Sequence, residues 1–244
     1  MKIIGIIPAR YDSTRFPGKP LVKIKGISMI QRVYEQVQAA ELITKTIVAT
    51  DDERIFNHVQ SFGGNVIMTA KTHESGTERI AEVIKKIDDN FDIAINIQGD
   101  EPFIQPQLID DLANFLIQNP QFNIATAAKK IMDKETLFNS NTVKVVFSQS
   151  GKALYFSRQT IPYIRGVKND KWLEQQDFYK HIGIYAFRTP TLLEIIEKPM
   201  SNFEKSEALE QLRWLENDYI IGVMPTEFET IGIDTPEDLE RVAR

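Results

Sequence analysis

The sequence predicts an α/β protein with a mostly parallel central sheet. Over residues 1–118, continuous apolar runs alternate with segments whose apolar residues recur at helical spacing. Such runs are typical of strands buried on both faces, and their alternation with helices is typical of parallel strands joined by crossover connections. After about residue 122, strand-like segments follow one another, and two of them are joined by the turn sequence SQSG. This second pattern predicts an antiparallel insertion in the same domain.

Four predicted strands alternate with four predicted helices in the first part of the chain. The strands are KIIGIIP, TIVAT, NVIMTA and FDIAINIQGDEP. The helices are SMIQRVYEQVQAAEL, DDERIFNHVQSFGG, SGTERIAEVIKKIDDN and PQLIDDLANFLIQNP. Their ends carry the expected signals, because the second begins with acidic residues and ends at paired glycines, the third has a Ser/Thr cap, and the fourth has proline near its start.

The second part of the chain is richer in strands. These are FNIATAAKKI, the hairpin TVKVVFSQSGKALYFSRQ, FYKHIGIYAFR and YIIGVMPTEF. Predicted helices are TPTLLEIIEK, one continuous helix over FEKSEALEQLRWLEND, and DTPEDLERVAR, which is capped by Asp234 or Thr235. The sequence has no visible repeat, low-complexity tract or linker. We therefore expect a single domain over residues 1–244, with an insertion at about 140–200.

Composition narrows the class of protein. The 244 residues are 42% hydrophobic and 26% charged, the balance of a soluble globular chain. The absence of cysteine excludes disulfides and thiolate metal sites and suits a reducing compartment. The net charge of −5 argues against general nucleic-acid binding. No apolar run approaches the roughly 18 residues of a membrane span, and the start does not resemble a signal peptide. We expect a cytoplasmic protein without membrane contact.

Three segments with charged side chains follow predicted strands. PARYDSTRFPGKP holds Arg10, Arg15 and Lys19, whereas ATDD and NIQGDEP hold carboxylates. In open parallel sheets, ligands bind outside the carboxyl ends of the strands. Arginine and lysine suit phosphate oxygens, and a carboxylate such as Asp100 suits Mg²⁺. Together, the segments predict a site for a nucleotide with its metal.

Several familiar site motifs are missing from the sequence. There is no G-x-x-x-x-G-K-[ST] phosphate loop, no G-x-G-x-x-G after the first strand and no G-x-S-x-G elbow. The histidines His58, His73 and His181 are far apart and lack zinc-ligand spacing. Any anion site must therefore use a different loop.

Each candidate residue also has a purely structural interpretation. The cationic loop could simply be solvated, and QGDEP could form only a turn. Asp234 could be only a helix N-cap, and Arg158 could form a structural ion pair. His181 lies in a predicted strand and could belong to the core or the surface. The acidic run at 51–53 is typical of the first turn of a helix.

A series of short stretches, in order along nearly the whole chain, resembles one family. They are IPARYDSTRFPGKPL, VATDD, SGTERIAEV, NIQGDEP, VKVVF, ALYFSRQTIP, HIGIYAFR, LEQLRWLEN and GIDTPEDLERV. Together they resemble the 3-deoxy-manno-octulosonate cytidylyltransferases, or CMP-Kdo synthetases. The resemblance implies a Rossmann-like nucleotide-diphospho-sugar transferase fold, Mg²⁺ dependence and a homodimer. It also implies transfer of CMP from CTP to the anomeric hydroxyl of Kdo, with release of pyrophosphate, for lipopolysaccharide biosynthesis.

The resemblance further implies roles for individual residues. The catalytic residues would be Arg10, Lys19 and Asp100. The nucleotide would be bound by Pro8, Ala9, Arg10, Ser13, Arg15, Lys19, Ser75, Gly76, Arg79 and Gln98. The acid sugar would be bound by Gln98, Arg158, His181, Tyr185, Glu210 and Gln211, with Arg158 at its carboxylate. Mg²⁺ would be bound by Asp100 and Asp234. No residue stands out as a general base.

Two other functions remain open from the sequence. A sister enzyme could act on a related acid sugar, such as 8-amino-Kdo or a sialic acid, because one changed hydroxyl contact can change the substrate. A protein of a different class could bind a nucleotide without turnover. The intact set of Arg10, Lys19, Asp100 and Asp234 argues against this second alternative.

Overall fold

A mixed sheet with helices on both faces forms the molecule. The computed structural model describes residues 1–12, 16–230, 232–233 and 235–243. The strands are β1 (Ile3–Ala9), β2 (Lys23–Ile24), β3 (Ile27–Ser28), β4 (Lys45–Thr50), β5 (Val66–Met68), β6 (Ile93–Asn96), β7 (Ile124–Lys130), β8 (Lys144–Phe147), β9 (Ala153–Ser157), β10 (Tyr179–Arg188) and β11 (Ile221–Thr226).

The helices follow the strands in alternation through the first part of the chain. They are α1 (Met29–Gln38), α2 (Glu53–Ser61), α3 (Gly76–Lys86), α4 (Pro106–Gln118), α5 (Lys134–Phe138), α6 (Trp172–Gln175), α7 (Thr189–Ile195), α8 (Asn202–Glu207), α9 (Gln211–Glu216) and α10 (Pro236–Ala243). Short 3-10 helices cover Lys19–Leu21 and Asn169–Lys171. Among the residues described, no helix combines the length and the apolar character needed to cross a membrane.

Strand pairing divides the sheet into a parallel part and an antiparallel part. The order is β11-β7-β10-β6-β1-β4-β5, with β8 paired to β10 and β9 paired to β8. Pairing is parallel between β6, β1, β4 and β5 and between β7 and β11. It is antiparallel around β10 and in the β8–β9 hairpin. The predicted α/β class, with a mostly parallel sheet and an antiparallel part, is confirmed.

Two apolar layers cover the two faces of the sheet. One layer contains buried residues of α1, α2 and α4, such as Ile30, Val59 and Leu112. The other contains buried residues of α3, α7 and α9, such as Ile80 and Leu192. The strands between them are buried on both faces, which explains why β1 and β6 read as continuous apolar runs.

The strand order places a topological switch point between β1 and β6. The chain proceeds from β1 to β4 and β5 on one side, and α3 then returns it to β6 on the other side of β1. The connections after β1 and β6 therefore diverge at the carboxyl edge and leave a crevice, which is where open α/β sheets bind ligands. This crevice is the predicted site.

One predicted helix is wrong in extent. The segment FEKSEALEQLRWLEND forms two helices, α8 and α9, because Ala208 adopts a left-handed conformation with φ 51°. The bend lets Arg213 pair with Glu204 through hydrogen bonds of 2.7 and 2.6 Å, with both side chains buried. A buried, doubly hydrogen-bonded ion pair outweighs the weak preference of this sequence for a continuous helix.

Helix starts agree with the capping signals in the sequence. Ser75 accepts a hydrogen bond from the backbone N–H of Glu78, and Asp52 accepts one from that of Arg54. Thr235 caps α10 by accepting a 3.3 Å hydrogen bond from the N–H of Asp238. Asp234, the other predicted cap, lies outside the described residues. The bounds of the insertion stay a prediction.

Candidate active site

A cleft of about 390 Å³ lies at the carboxyl edge of the sheet, between the ends of β1 and β6. Its walls come from the end of β1 and the connection after it, from the connection after β6, and from the first residue of α3. The lining residues are Pro8, Ala9, Arg10, Asp12, Lys19, Pro20, Gly76, Gln98, Gly99 and Asp100. The cleft thus brings together cations that follow β1 and a carboxylate that follows β6, as predicted from the sequence.

The central pair in the cleft is Lys19 with Asp100. The Lys19 Nζ donates a 2.7 Å hydrogen bond to Asp100 Oδ2, across 81 positions of sequence. The lysine side chain is 12% exposed and the aspartate side chain 30% exposed, so both open onto the cleft. A cation and a carboxylate therefore lie in direct contact at the cleft.

Two glycines allow the cleft walls to approach each other. A Cβ at Gly99 would lie 2.9 Å from the carbonyl oxygen of Pro8, so a side chain there would push the two connections apart. Gly18 has φ 72°, which glycine adopts without strain, and its N–H donates a 2.8 Å hydrogen bond to the carbonyl of Tyr11. This turn leads directly into the 3-10 helix that presents Lys19.

Arg10 is held against the segment that precedes α3. Its Nη2 donates hydrogen bonds to the backbone carbonyls of His73 and Ser75, the second at 3.5 Å. Burial is the main factor that lowers the pKa of Arg10, and the nearby charge of Arg79 adds to it. The side chain is nevertheless a cation at neutral pH, because a guanidinium loses its proton only far above that pH.

The start of α3 faces the same cleft. Gly76 lines the cleft, and Ser75 is the N-cap. Backbone N–H groups at a helix start, with the positive end of the helix dipole, favour an anion. Arg79, one turn further along, is fully buried and bonds Asp51 at 2.8 Å and Thr69 at 2.5 Å. It ties α3 to the residues that follow β4 and β5. Its predicted contact with the nucleotide stays a prediction.

A second polar cluster lies behind the cleft, on β10 and at the start of α9. Gln98 reaches it from the cleft by donating a 3.2 Å hydrogen bond to the carbonyl of Gly183. The rings of His181 and Tyr185 lie 5.3 Å apart. Burial lowers the pKa of His181 to about 3, so its ring is neutral and shares a 2.9 Å hydrogen bond with Thr126.

Tyr185 and Glu210 supply buried polar atoms to this cluster. Within the described chain, the Tyr185 hydroxyl is buried without a hydrogen-bond partner. Glu210 accepts a 2.7 Å hydrogen bond from Thr77, and burial raises the pKa of its carboxyl group. Buried polar groups are ordinarily paired. A ligand rich in hydroxyl groups could therefore supply the missing hydrogen-bond partner of Tyr185 and also bond the nearby carboxyl group of Glu210.

The remaining predicted sugar residues lie near the same helices. Arg158 donates a 2.7 Å hydrogen bond from Nε to the carbonyl of Glu207, and its own N–H bonds the Glu207 carboxylate at 2.9 Å. Gln211 is buried at the first position of α9. Arg158 is thus held by the backbone beside α8 and partly exposed, and its contact with a sugar carboxylate stays a prediction.

The structure does not describe two of the predicted nucleotide-binding residues or one of the two predicted Mg²⁺ ligands. Ser13, Arg15 and Asp234 all lie outside the described residues. Over residues 1–12, 16–230, 232–233 and 235–243, no group of three or more histidines or carboxylates is arranged to hold a metal. Asp100 nevertheless fits Mg²⁺, which takes one or two carboxylates together with substrate phosphates. The N–H of Ile233 bonds the carbonyl of Asp100 at 2.9 Å.

Three lining residues were not assigned from the sequence. Asp12 and Pro20 lie in the segment PARYDSTRFPGKP, and Gly99 lies in QGDEP. Each therefore belongs to a segment that the sequence predicts to form the site. What the sequence could not reveal is which loop residues face inward. That depends on how the turn between Tyr11 and Gly18 closes.

Fold and cleft together define an α/β protein built to bind an anionic nucleotide at its sheet edge. The chain belongs to the cytidylyltransferase family, whose model matches residues 4–228. It is 54% identical to the 3-deoxy-manno-octulosonate cytidylyltransferase of Cytophaga hutchinsonii over 99% of this chain and 96% of that protein. The same enzyme of Parabacteroides distasonis is also 54% identical, over 99% and 96%.

A solved structure supports the same placement. A CMP:2-keto-3-deoxy-manno-octonic acid synthetase complexed with CTP superposes with a TM-score of 0.92 at 42% identity, covering 100% of this chain and 97% of that chain. The similarity spans the whole fold and is not confined to the nucleotide-binding half.

Proposed function

We propose that this protein transfers CMP from CTP to the anomeric hydroxyl of Kdo, releasing pyrophosphate and forming CMP-Kdo for lipopolysaccharide biosynthesis. The observation that carries the proposal is the cleft at the β1–β6 switch point, where Arg10, Lys19 and Asp100 meet. A relative of the same fold at 42% identity was solved with CTP. The similar proteins of Cytophaga hutchinsonii and Parabacteroides distasonis are 3-deoxy-manno-octulosonate cytidylyltransferases.

The residues of the cleft suit phosphoryl transfer. The sugar hydroxyl forms a bond to the α-phosphorus, the bond from that phosphorus to the bridging oxygen breaks, and pyrophosphate leaves with the electron pair. The hydroxyl proton passes to solvent. Arg10 and Lys19 neutralise charge on the triphosphate, and the N-terminus of α3 adds a positive dipole. Positioning of the two substrates side by side supplies much of the remaining acceleration.

We propose Mg²⁺ as the cofactor, held by Asp100 and Asp234. When bound, the ion would neutralise phosphate charge and polarise the reacting phosphoryl group. The position of Asp100 supports this assignment, because it lines the cleft where the phosphates are proposed to lie.

The polar cluster on β10 and α9 is the proposed sugar site. Tyr185, His181 and Glu210 offer a hydroxyl, a neutral ring and a carboxyl group to the sugar hydroxyls, and Gln98 links this cluster to the nucleotide cleft. Arg158 would contact the sugar carboxylate. This division places the acid sugar on one side of Gln98 and the triphosphate on the other.

Pyrophosphate release measured with CTP, Mg²⁺ and each sugar tests the proposal. We expect Kdo to be turned over faster than 8-amino-Kdo or a sialic acid. Faster turnover of 8-amino-Kdo would instead identify the sister enzyme. Nucleotide binding without turnover of any acid sugar would identify a non-catalytic protein.

We also propose a cytoplasmic homodimer. The lack of cysteine suits a reducing compartment. The β8–β9 region exposes apolar side chains beside a groove of about 400 Å³ lined by Val145, Phe147 and Tyr179, among others, and Leu154 is 57% exposed there. A second copy would cover this surface. Light scattering on the purified chain should give twice the 28.0 kDa monomer mass.

A further inference from the structure

Besides the hydrogen bond from Arg79 to Thr69, the segment between β5 and α3 is held to α3 by one histidine and two glutamates. Glu82 Oε2 accepts a 2.9 Å hydrogen bond from the N–H of Ala70 and is in hydrogen-bond contact with His73 Nε2. Glu78 Oε2 accepts a 2.8 Å hydrogen bond from the N–H of Glu74 and lies 3.7 Å from His73 Nδ1. Because Glu78 and Glu82 are four residues apart on a helix, both face this segment. We call His73, Glu78 and Glu82 the His73 clasp.

The clasp determines where two backbone carbonyls lie. The carbonyls of His73 and Ser75 accept the hydrogen bonds from Arg10 Nη2. Within the described part of the chain, both hydrogen bonds of Arg10 come from this one nitrogen. Its Nε and Nη1 therefore keep their donors for an oxyanion in the cleft. A shift of the segment would move these carbonyls, and the guanidinium of Arg10 would no longer be held in one orientation.

Stability alone is a weak reason for this arrangement. The side chains of His73 and Glu82 are 19% and 18% exposed, and that of Glu78 is 25% exposed. Ion pairs with this degree of solvent access typically contribute about 1 kcal/mol or less. The same contacts have a larger effect if they fix the orientation of Arg10. The strength of a charge-assisted hydrogen bond from Arg10 to a bound oxyanion depends on that orientation.

We propose that His73 is a positioning residue, which with Glu78 and Glu82 holds the carbonyls that aim Arg10 at the phosphates of the nucleotide. The inference rests on the proposed function for the identity of that nucleotide. His73 itself does not line the cleft. Its effect should therefore appear in the binding of phosphates, pass through Arg10, and leave the binding of the sugar unchanged.

Binding of inorganic tripolyphosphate and of CTP, measured by calorimetry without sugar, provides the first test. We expect His73→Ala to weaken both by about tenfold, the order of one directed charge-assisted hydrogen bond. His73→Gln, whose amide can still donate to Glu82, should stay within about twofold of wild type. Lys85→Ala, on the exposed face of α3, is the matched control and should change nothing. Wild-type affinity in His73→Ala would overturn the proposal.

A double-mutant cycle with Arg10 separates positioning from general stabilisation. If His73 acts through Arg10, then adding His73→Ala to Arg10→Ala should weaken tripolyphosphate binding no further. If the fold-changes in tripolyphosphate affinity of the two single variants instead multiply in the double variant, His73 acts independently of Arg10, and the proposal is overturned. In turnover, His73→Ala should raise the KM for CTP while the KM for Kdo stays within about twofold. Equal changes in both would also overturn it.

The two proposals fail in different ways. A wild-type chain that binds tripolyphosphate and CTP but turns over no acid sugar would refute the proposed function, and the calorimetric comparison of His73→Ala would still decide the role of the clasp. A wild-type chain that binds no tripolyphosphate would overturn the clasp proposal directly.

Discussion

Replacing Asp100 by asparagine separates the chemistry of the cleft from the stability of the fold. Asparagine has the same shape and can still accept the hydrogen bond from Lys19, but it has no charge. The Lys19–Asp100 pair spans 2.7 Å, with side chains 12% and 30% exposed. Partial solvent access limits such a pair to about 1 kcal/mol of net stability. We therefore expect Asp100→Asn to lower the free energy of unfolding by no more than about 1 kcal/mol.

Activity should respond far more strongly than stability. Removal of the charge takes a hard anionic oxygen from the proposed metal site and removes the negative charge that pairs with Lys19. Loss of one preorganised electrostatic contact at a reacting phosphoryl group typically costs about 100- to 1,000-fold in turnover, or about 2.7–4 kcal/mol. We expect a loss of this size in kcat, partly recovered as the Mg²⁺ concentration is raised.

Two measurements on one preparation test this reasoning. Urea unfolding gives the stability, and pyrophosphate release over a series of Mg²⁺ concentrations gives the activity. Asp88→Asn, which removes an exposed carboxylate beyond α3, is the charge-matched control. Wild-type turnover of Asp100→Asn at ordinary Mg²⁺ would refute a metal role. A loss of more than about 3 kcal/mol in stability would instead show that Asp100 is structural.

Further predictions concern the cleft wall, the sugar site and the buried histidine. Gly99→Ala should destabilise by about 1–3 kcal/mol in urea unfolding, because its Cβ would meet the Pro8 carbonyl oxygen at 2.9 Å, whereas Gly183→Ala, with its nearest atom at 3.9 Å, should cost less. Arg158→Ala should raise the KM for sugar more than that for CTP in the pyrophosphate assay, and equal rises would count against a carboxylate contact. The pKa of His181 is lowered to about 3, so its contribution to stability is complete above about pH 6.5 and is lost as the pH falls toward 3. Between pH 6.5 and 4.5 the loss is up to about 2.7 kcal/mol, and His181→Gln should show a correspondingly flatter decline in unfolding free energy.

The parallel half of the fold was readable from the sequence because its signals are local. Buried strands such as β1 need apolar residues on both faces, and helix starts need caps, as Ser75 and Asp52 provide. The position of the cleft also followed, since ligands bind at the carboxyl ends of parallel strands. Arg10, Lys19 and Asp100 do line one cleft.

Other features depend on contacts between distant segments. The break at Ala208 exists because Glu204 and Arg213 pair across it, which no local preference encodes. Arg79 is buried and pairs with Asp51, a contact that no local pattern in the sequence indicates. No sequence motif includes His73. Its proposed role comes from the position of its backbone carbonyl, which accepts a hydrogen bond from Arg10, and not from a contact between its side chain and a ligand.

By itself, the sequence determined the α/β class, the cation-rich loop after the first strand and the family resemblance, since strand burial, capping and motif order are written in neighbouring residues. Tertiary structure alone decided which of these charges meet. Lys19 contacts Asp100 across 81 positions because the strand order puts β1 beside β6. Arg10 meets the His73 carbonyl because α3 crosses the sheet beside β1. Those distances follow from strand order and from the close approach at Gly99, which are properties of the packed chain and not of any single segment.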